Sequence, residues 1–200
     1  MRHAACVRPR LEPVRVAGLT AAIAAFGASA ALAVSSKPAQ FSDPKGDVSG
    51  ALDVQRVSLR RASDGRLRAV VTIAAKVAPS TMLARTGPPG SVCLKFWTKR
   101  DADPAATVPD RLVCVTARTK DELRASVLEQ TGPGLPRRTA SASVRLNKSS
   151  RSLVLRISQT SLGRPSLVRF AVESTRPGCE RVSCIDESPD KGAVRRFRLR

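Results

Sequence analysis

The sequence contains no tyrosine, and its single histidine is His3, close to the N-terminus. Aromatic residues make up only 3% of the chain. A Ser–His–Asp triad and a Cys–His pair both need histidine as the base, so neither can be built downstream of residue 3. Zinc sites that use histidine are excluded on the same ground. Scarce aromatics also leave few flat faces on which sugar rings or bases could stack.

Acidic residues are also scarce, since 16 Asp and Glu face 35 Lys and Arg and leave a formal net charge of +19. Such a charge attracts polyanions over long range. The candidate partners are acidic wall polymers, lipid head groups and extracellular nucleic acid. The alternative is that a GC-rich genome favours arginine codons. No RNA-binding motif with aromatic residues accompanies the charge, so specific nucleic-acid recognition is not expected.

The first 33 residues have the layout of a secretory signal. Four arginines precede an uncharged, mostly apolar run, and Ala31-Leu32-Ala33 has the small-x-small pattern of a cleavage site. We predict a signal peptide over 1–33 with an apolar helix, and a secreted or cell-surface protein. The alternative is an uncleaved membrane anchor over 16–34, near the lower length limit for a span. Cleavage would lower the net charge to +16.

Apolar and polar residues alternate with period two through most of the chain after residue 41. In 66–78, Leu67 and Ile73 fall on one side and Arg68 and Lys76 on the other, which is typical of a half-buried strand. Nine such segments occur, at 54–60, 66–78, 91–98, 111–117, 122–130, 139–146, 152–158, 167–174 and 193–200. They predict an all-β domain over 41–200, an antiparallel two-sheet β-sandwich of about nine strands after a linker at 34–40.

Four cysteines remain after the predicted signal: Cys93, Cys114, Cys179 and Cys184. An even number in an exported chain indicates disulfides, and three pairings are open. Proximity in sequence favours 93–114 and 179–184. The alternative is a four-cysteine metal site, but neither pair has CxxC spacing.

The order of several short motifs resembles exported bacterial β-sandwich proteins that are similar to DOMON domains and family 9 carbohydrate-binding modules. The motifs are an opening DPKGD at 43–47 with LDV at 52–54, an Asp-rich loop at 101–110, RSLVLRISQTSLG at 151–163 and DESPDKG at 186–192. The resemblance implies a sandwich that binds a ligand or a surface, with calcium in some relatives and no catalysis in the carbohydrate-binding ones.

The chain departs from these families in its side chains. Trp97 is the only tryptophan, and we expect it to pack beside a disulfide instead of serving as a sugar platform. Met82 is the only methionine after the predicted signal, so haem ligation, which some DOMON domains use, is not expected.

Acidic residues cluster near both ends of the predicted domain. If the terminal segments lie side by side, as the resemblance implies, the following carboxylates converge: Asp43, Asp47, Asp53, Asp186 and Asp190, with Glu187 beside them. They are then a structural calcium site, caps of local backbone groups, or a catalytic carboxylate pair. We predict a non-enzymatic exported binding or structural module that engages anionic or glycan polymers weakly; the alternative is a carboxylate-dependent glycan hydrolase.

The last strand predicts a basic surface. Phe197 and Leu199 should turn inward, which places Arg196, Arg198 and Arg200 on the opposite side. A row of guanidinium groups would bind phosphate or carboxylate polymers through contacts that salt screens.

The cysteine pattern makes a testable prediction. The exported protein should contain no free thiol, and peptide mapping without reduction should recover Cys93 linked to Cys114 and Cys179 linked to Cys184. Crossed pairs would contradict the pairing, and thiols open to alkylation would contradict the disulfides themselves.

Overall fold

The computed structural model describes residues 37–44, 46, 52–132, 134–179, 184–190 and 192–199. The predicted signal peptide and its apolar helix lie outside these residues, as do residues 34–36 of the predicted linker. Among the described residues, no helix has the length and apolar character needed to span a membrane.

The described residues form antiparallel strands with almost no helix, which confirms the all-β class. The eleven strands are β1 Ala39–Ser42, β2 Val54–Arg61, β3 Leu67–Ile73, β4 Ser91–Trp97, β5 Arg111–Ala117, β6 Leu123–Glu129, β7 Arg137–Leu146, β8 Ser152–Ile157, β9 Leu167–Thr175, β10 Ile185–Ser188 and β11 Arg195–Arg198. Two short 3-10 turns, Pro79–Met82 and Thr160–Leu162, complete the secondary structure.

Hydrogen bonding connects the strands in the order β1-β2-β3-β8-β7-β6-β5-β4-β9-β10, and β11 shares the edge of β9 with β10. Strand β7 joins the two halves of this order. Its residues 137–142 pair with β6, and its residues 143–146 pair with β8. Because β1 also contacts β11, the sheet is nearly closed on itself and does not separate clearly into two stacked layers.

Each of the nine predicted strands overlaps an observed one. The two additional strands, β1 and β10, are four residues each. Strand β1 begins at Ala39, inside the predicted linker of 34–40, and pairs with β2. Strand β10 overlaps the start of the DESPDKG motif at 186–192. Neither segment has a long apolar alternation, so each depends on a longer neighbour for its hydrogen bonds.

The core contains the inward side chains of the strands on both sides of β7. Three phenylalanines within it connect β1, β4 and β9. The ring of Phe170 on β9 lies 5.7 Å from that of Phe41 on β1 and 6.4 Å from that of Phe96 on β4. All three side chains are nearly or fully buried. Phe41 therefore packs the first strand onto the ninth, and this contact holds the sheet in its nearly closed form.

Replacement of Phe170 tests this packing. The substitution Phe170→Ala should lower the free energy of unfolding by about 3–5 kcal/mol, because it removes a buried ring and leaves a cavity. Denaturant unfolding is the measurement. Leu135→Ser is the control, since Leu135 is 98% exposed and its loss should change stability by less than about 0.5 kcal/mol. Equal effects would contradict the role of the ring.

Candidate functional site

Three arginines lie side by side on the outer side of the sheet. Arg60 of β2 is the direct partner of Arg68 of β3, and Arg68 is the direct partner of Arg156 of β8. Arg68 follows Leu67 and precedes Ala69, both fully buried. Because side chains alternate along a strand, the arginines project away from the core.

A fourth arginine, Arg145 of β7, extends this group. It lies opposite Val154 of β8, two residues from Arg156. Val154 shares the outer side of the sheet yet is only 4% exposed, consistent with the aliphatic stems of arginine covering apolar surface. We call Arg60, Arg68, Arg156 and Arg145 the arginine row.

The arginine row brings like charges together with little compensation. Neighbouring strands are about 4.8 Å apart, and like charges directly opposite each other destabilise a sheet. Among the described residues, the one ion pair of the row joins Arg156 Nη1 to Asp64 Oδ2, at 3.6 Å. Burial, and then the charges of its three arginine neighbours, hold the pKa of Arg68 below its usual value. An anion bound across the row would relieve this repulsion.

The C-terminal strand has the predicted arrangement where it is described. Phe197 and Leu199 are buried, at 3% and 1% exposure. Arg196 and Arg198 are exposed on the other side of β11, while Arg200 lies outside the described residues. Two of the three predicted guanidinium groups are therefore placed on one surface.

Arg198 also borders a shallow depression of about 340 Å³, together with Arg100, Thr98 and Ser166. The neighbouring Arg169 donates a hydrogen bond from Nη1 to the carbonyl oxygen of Arg100, at 3.0 Å. This second basic surface has two arginines, Arg100 and Arg198, that face a common space.

The acidic segments near the two ends of the domain do meet. The backbone N–H of Val54 donates to Asp186 Oδ2 at 2.7 Å, and that of Gly46 donates to Asp53 Oδ2 at 2.8 Å. Asp53 and Asp186 are 4% and 1% exposed, and Asp43 is 9% exposed. We call Asp43, Asp53 and Asp186 the acidic junction. Asp190 is exposed, and Asp47 lies outside the described residues.

Calcium at the acidic junction stays a prediction, because Asp47, one of its predicted ligands, lies outside the described residues. No three His, Cys, Asp or Glu residues of the described ranges are grouped so that they could hold a metal. Calcium takes about six to eight oxygen ligands, whereas Asp53 and Asp186 each use one oxygen to accept a backbone N–H. Asp53 thus accepts a backbone N–H from its own segment, whereas Asp186 accepts that of Val54, 132 residues away in sequence.

The same burial bears on the hydrolase alternative. A glycosidase needs two carboxyl groups that flank the bond to be cleaved in an open cleft. Asp53 and Asp186 are almost closed to solvent, so a polymeric glycan cannot contact them in this structure.

Other aspartates in the Asp-rich loop also serve the backbone. Asp110 Oδ1 accepts the N–H of Thr98 at 2.7 Å, and Asp103 Oδ1 accepts that of Ala105 at 3.0 Å. Trp97 lies under this loop at 5% exposure and donates from Nε1 to the carbonyl oxygen of Thr107, at 2.9 Å. Its ring therefore offers no open face to a sugar.

The cysteines lie in the sequence-local pairs. Cys93 on β4 is directly opposite Cys114 on β5, with 4.0 Å between their Cα atoms. Cys179 and Cys184 flank a short loop, with 6.1 Å between their Cα atoms. The two sulfur atoms of each pair lie close enough for a disulfide bond.

Sequence reasoning named Arg68 as outward-facing but missed its neighbours in the row. The signal that was present is the polar position of Arg60, Arg145 and Arg156 within three other alternating segments. The sequence of a single segment does not show the register between strands, so it could not show that these arginines are neighbours.

Comparisons of the chain with protein-family models, with curated proteins and with solved structures found no match. The resemblance to DOMON domains and family 9 carbohydrate-binding modules therefore stays a prediction from short motifs. Function has to be argued from the surfaces of the molecule itself.

The acidic junction yields a prediction. Asp186→Ala should lower the free energy of unfolding by about 1–3 kcal/mol, because it leaves the buried N–H of Val54 without this acceptor. Asp190→Ala, at an exposed position, should change it by less than about 0.5 kcal/mol. Millimolar calcium should leave the melting temperature unchanged. A rise with calcium in the wild type that Asp186→Ala abolishes would show instead that the carboxylate holds a cation.

Proposed function

We propose that this chain is an exported, non-enzymatic binding module that attaches to anionic polymers at a cell surface through the arginine row. The observation that carries the proposal is the direct cross-strand alignment of Arg60, Arg68 and Arg156. Aligned like charges cost stability in the free protein. A bound anion offsets that cost, so the arrangement favours binding.

The geometry of the row suits an extended partner. Three neighbouring strands span about 10 Å between Arg60 and Arg156, and Arg145 continues the row onto a fourth strand. A polymer with regularly spaced phosphate or carboxylate groups can contact several guanidinium groups at once. Each guanidinium can donate two parallel hydrogen bonds to such a group.

The burial of the aromatic residues supports recognition by charge instead of by stacking. Within the described ranges, every phenylalanine and tryptophan is at most 5% exposed. Bases of single-stranded nucleic acid and the rings of sugars both bind through stacking on exposed aromatics. The partner that fits is therefore a phosphate- or carboxylate-bearing polymer of a wall or surface, and specific nucleic-acid recognition is not part of the proposal.

The location and architecture proposed for this module are based on features of the sequence. Cleavage of a signal over 1–33 would deliver residues 34–200 to the outside of the cell, where disulfides persist. We further propose that β1-β2-β3-β8 and β6-β5-β4-β9 act as the two layers of a sandwich related to the DOMON and family 9 modules. Three members of the arginine row, Arg60, Arg68 and Arg156, lie on the outer side of the first layer, where a polymer can reach them.

Retention on immobilised heparin and on polyphosphate tests the proposal. We expect the retention to fall steeply with salt. The triple variant Arg60→Gln, Arg68→Gln, Arg156→Gln should lower affinity by about tenfold or more, if each lost contact contributes about 0.5–1 kcal/mol. Removal of mutual repulsion should leave its stability equal to or above that of the wild type.

Two variants with the same loss of charge serve as comparisons. Lys76→Gln, Lys120→Gln, Lys148→Gln removes three exposed, scattered charges and should weaken retention much less. Arg196→Ser, Arg198→Ser, Arg200→Ser tests the predicted C-terminal row. We expect this variant to weaken retention without unfolding the domain. If all three variants lose affinity equally, net charge alone accounts for binding and the arginine row has no special role.

A further inference from the structure

A cleft of about 410 Å³ opens on the outer side of β4, β9 and β10. Its floor includes Lys95, Ala171 and Glu187. Its walls come from the Asp-rich loop after β4 and from the segment after β10, and they contain Pro104, Val108, Pro109, Pro189 and Val194. A volume of this size with apolar walls and a few polar groups is typical of small-molecule sites.

The floor of the cleft carries an unequal set of charges. Lys95 Nζ donates to Glu187 Oε1 at 2.6 Å and to Glu173 Oε2 at 3.1 Å. Glu173 and Glu187 are themselves direct partners across β9 and β10. One ammonium group thus faces two carboxylates that would otherwise repel each other. We call Lys95, Glu173 and Glu187 the charged triad.

The two glutamates favour the charged form of Lys95. Burial lowers the pKa of Lys95, but the hydrogen bond and charge of Glu187 and those of Glu173 outweigh it, so the pKa lies above its usual value. The lysine therefore stays protonated, and the formal charges of one lysine and two glutamates sum to one net negative charge. The Glu187 side chain is 47% exposed, so a ligand in the cleft can reach its carboxylate.

The walls of the cleft are held in place before any ligand binds. Trp97 Nε1 bonds to the carbonyl oxygen of Thr107, and Asp110 accepts the N–H of Thr98. These contacts fasten the C-terminal part of the loop to the end of β4 and to the residue that follows it. Prolines on both walls restrict the backbone further. Val108 stands at the rim with 65% of its surface exposed, which extends the apolar wall outward.

We propose that this cleft binds a small organic cation, a primary or secondary ammonium group attached to an apolar body. The ammonium group donates to Glu187 and neutralises the remaining charge of the triad, while the apolar body packs against the proline and valine walls. The site is separate from the arginine row, so it stands or falls independently of polyanion binding.

The proposal can be tested by comparing ligands of opposite charge, because the net charge of the protein favours the opposite result. At +19, general attraction favours an anion over a cation. Selection of a cation must therefore come from the local charges of the cleft. The probes are benzylammonium, benzyl alcohol and benzoate, which share one ring and differ in charge. Their dissociation constants can be measured by calorimetry or by NMR titration of the full chain.

We expect benzylammonium to bind at least about tenfold more tightly than benzyl alcohol, because a charge-assisted hydrogen bond adds to the same apolar contact. Benzoate should bind most weakly. The proposal is overturned if benzylammonium does not bind at millimolar concentration, if benzyl alcohol binds equally well, or if benzoate binds best.

Two variants locate the binding. Glu187→Gln keeps the shape of the side chain and should weaken benzylammonium by about tenfold while leaving benzyl alcohol unchanged. Ala171→Leu places a larger side chain on the floor and should weaken both probes. The control is Glu122→Gln, which removes an equally charged residue paired with Arg118 at 3.3 Å on the surface and should change neither. Benzylammonium binding unaffected by Glu187→Gln and Ala171→Leu would place it elsewhere and overturn the assignment.

Discussion

The packing of Phe41 against Phe170 is the contact on which the rest of the structure depends. Phe41 lies on the first strand and Phe170 on the ninth, so a single apolar contact joins chain segments about 130 residues apart. Burial of a phenylalanine side chain contributes about 1.5–3 kcal/mol. Without this contact β1 would keep its pairing with β2 and its contacts with β11, and the sheet would be held closed less firmly at that end.

Closure of the sheet places the acidic junction where it can act as a structural link. Once β1 lies near β9, the start of β2 comes against β10, and Val54 donates to Asp186. A buried carboxylate in this position satisfies a backbone N–H that would otherwise be costly to bury. Two of the aspartates that the sequence concentrates near its ends, Asp53 and Asp186, thus each accept a backbone N–H.

The two proposed binding surfaces have opposite charge in one strongly basic protein. The arginine row spans β2, β3, β8 and β7, and the charged triad spans β4, β9 and β10. Both arise on the outer side of the sheet, where period-two alternation places polar side chains. Their different character comes from their neighbours: the row is largely arginine, whereas Lys95 is enclosed by two glutamates. Local charge, not net charge, therefore decides what each surface can bind.

Alternation of apolar and polar residues was sufficient to predict nine strands, since a half-buried strand needs only its own side chains to define its two faces. The same local reasoning predicted that Phe197 and Leu199 turn inward. Strands β1 and β10 were not predicted, because short polar segments such as Ile185–Ser188 become strands only when a longer neighbour supplies their hydrogen bonds. The arginine row and the charged triad could not be predicted from the sequence for a related reason. Arg68 and Arg156 are 88 residues apart, and only the register between β3 and β8, set by non-local packing of the closed sheet, makes them neighbours.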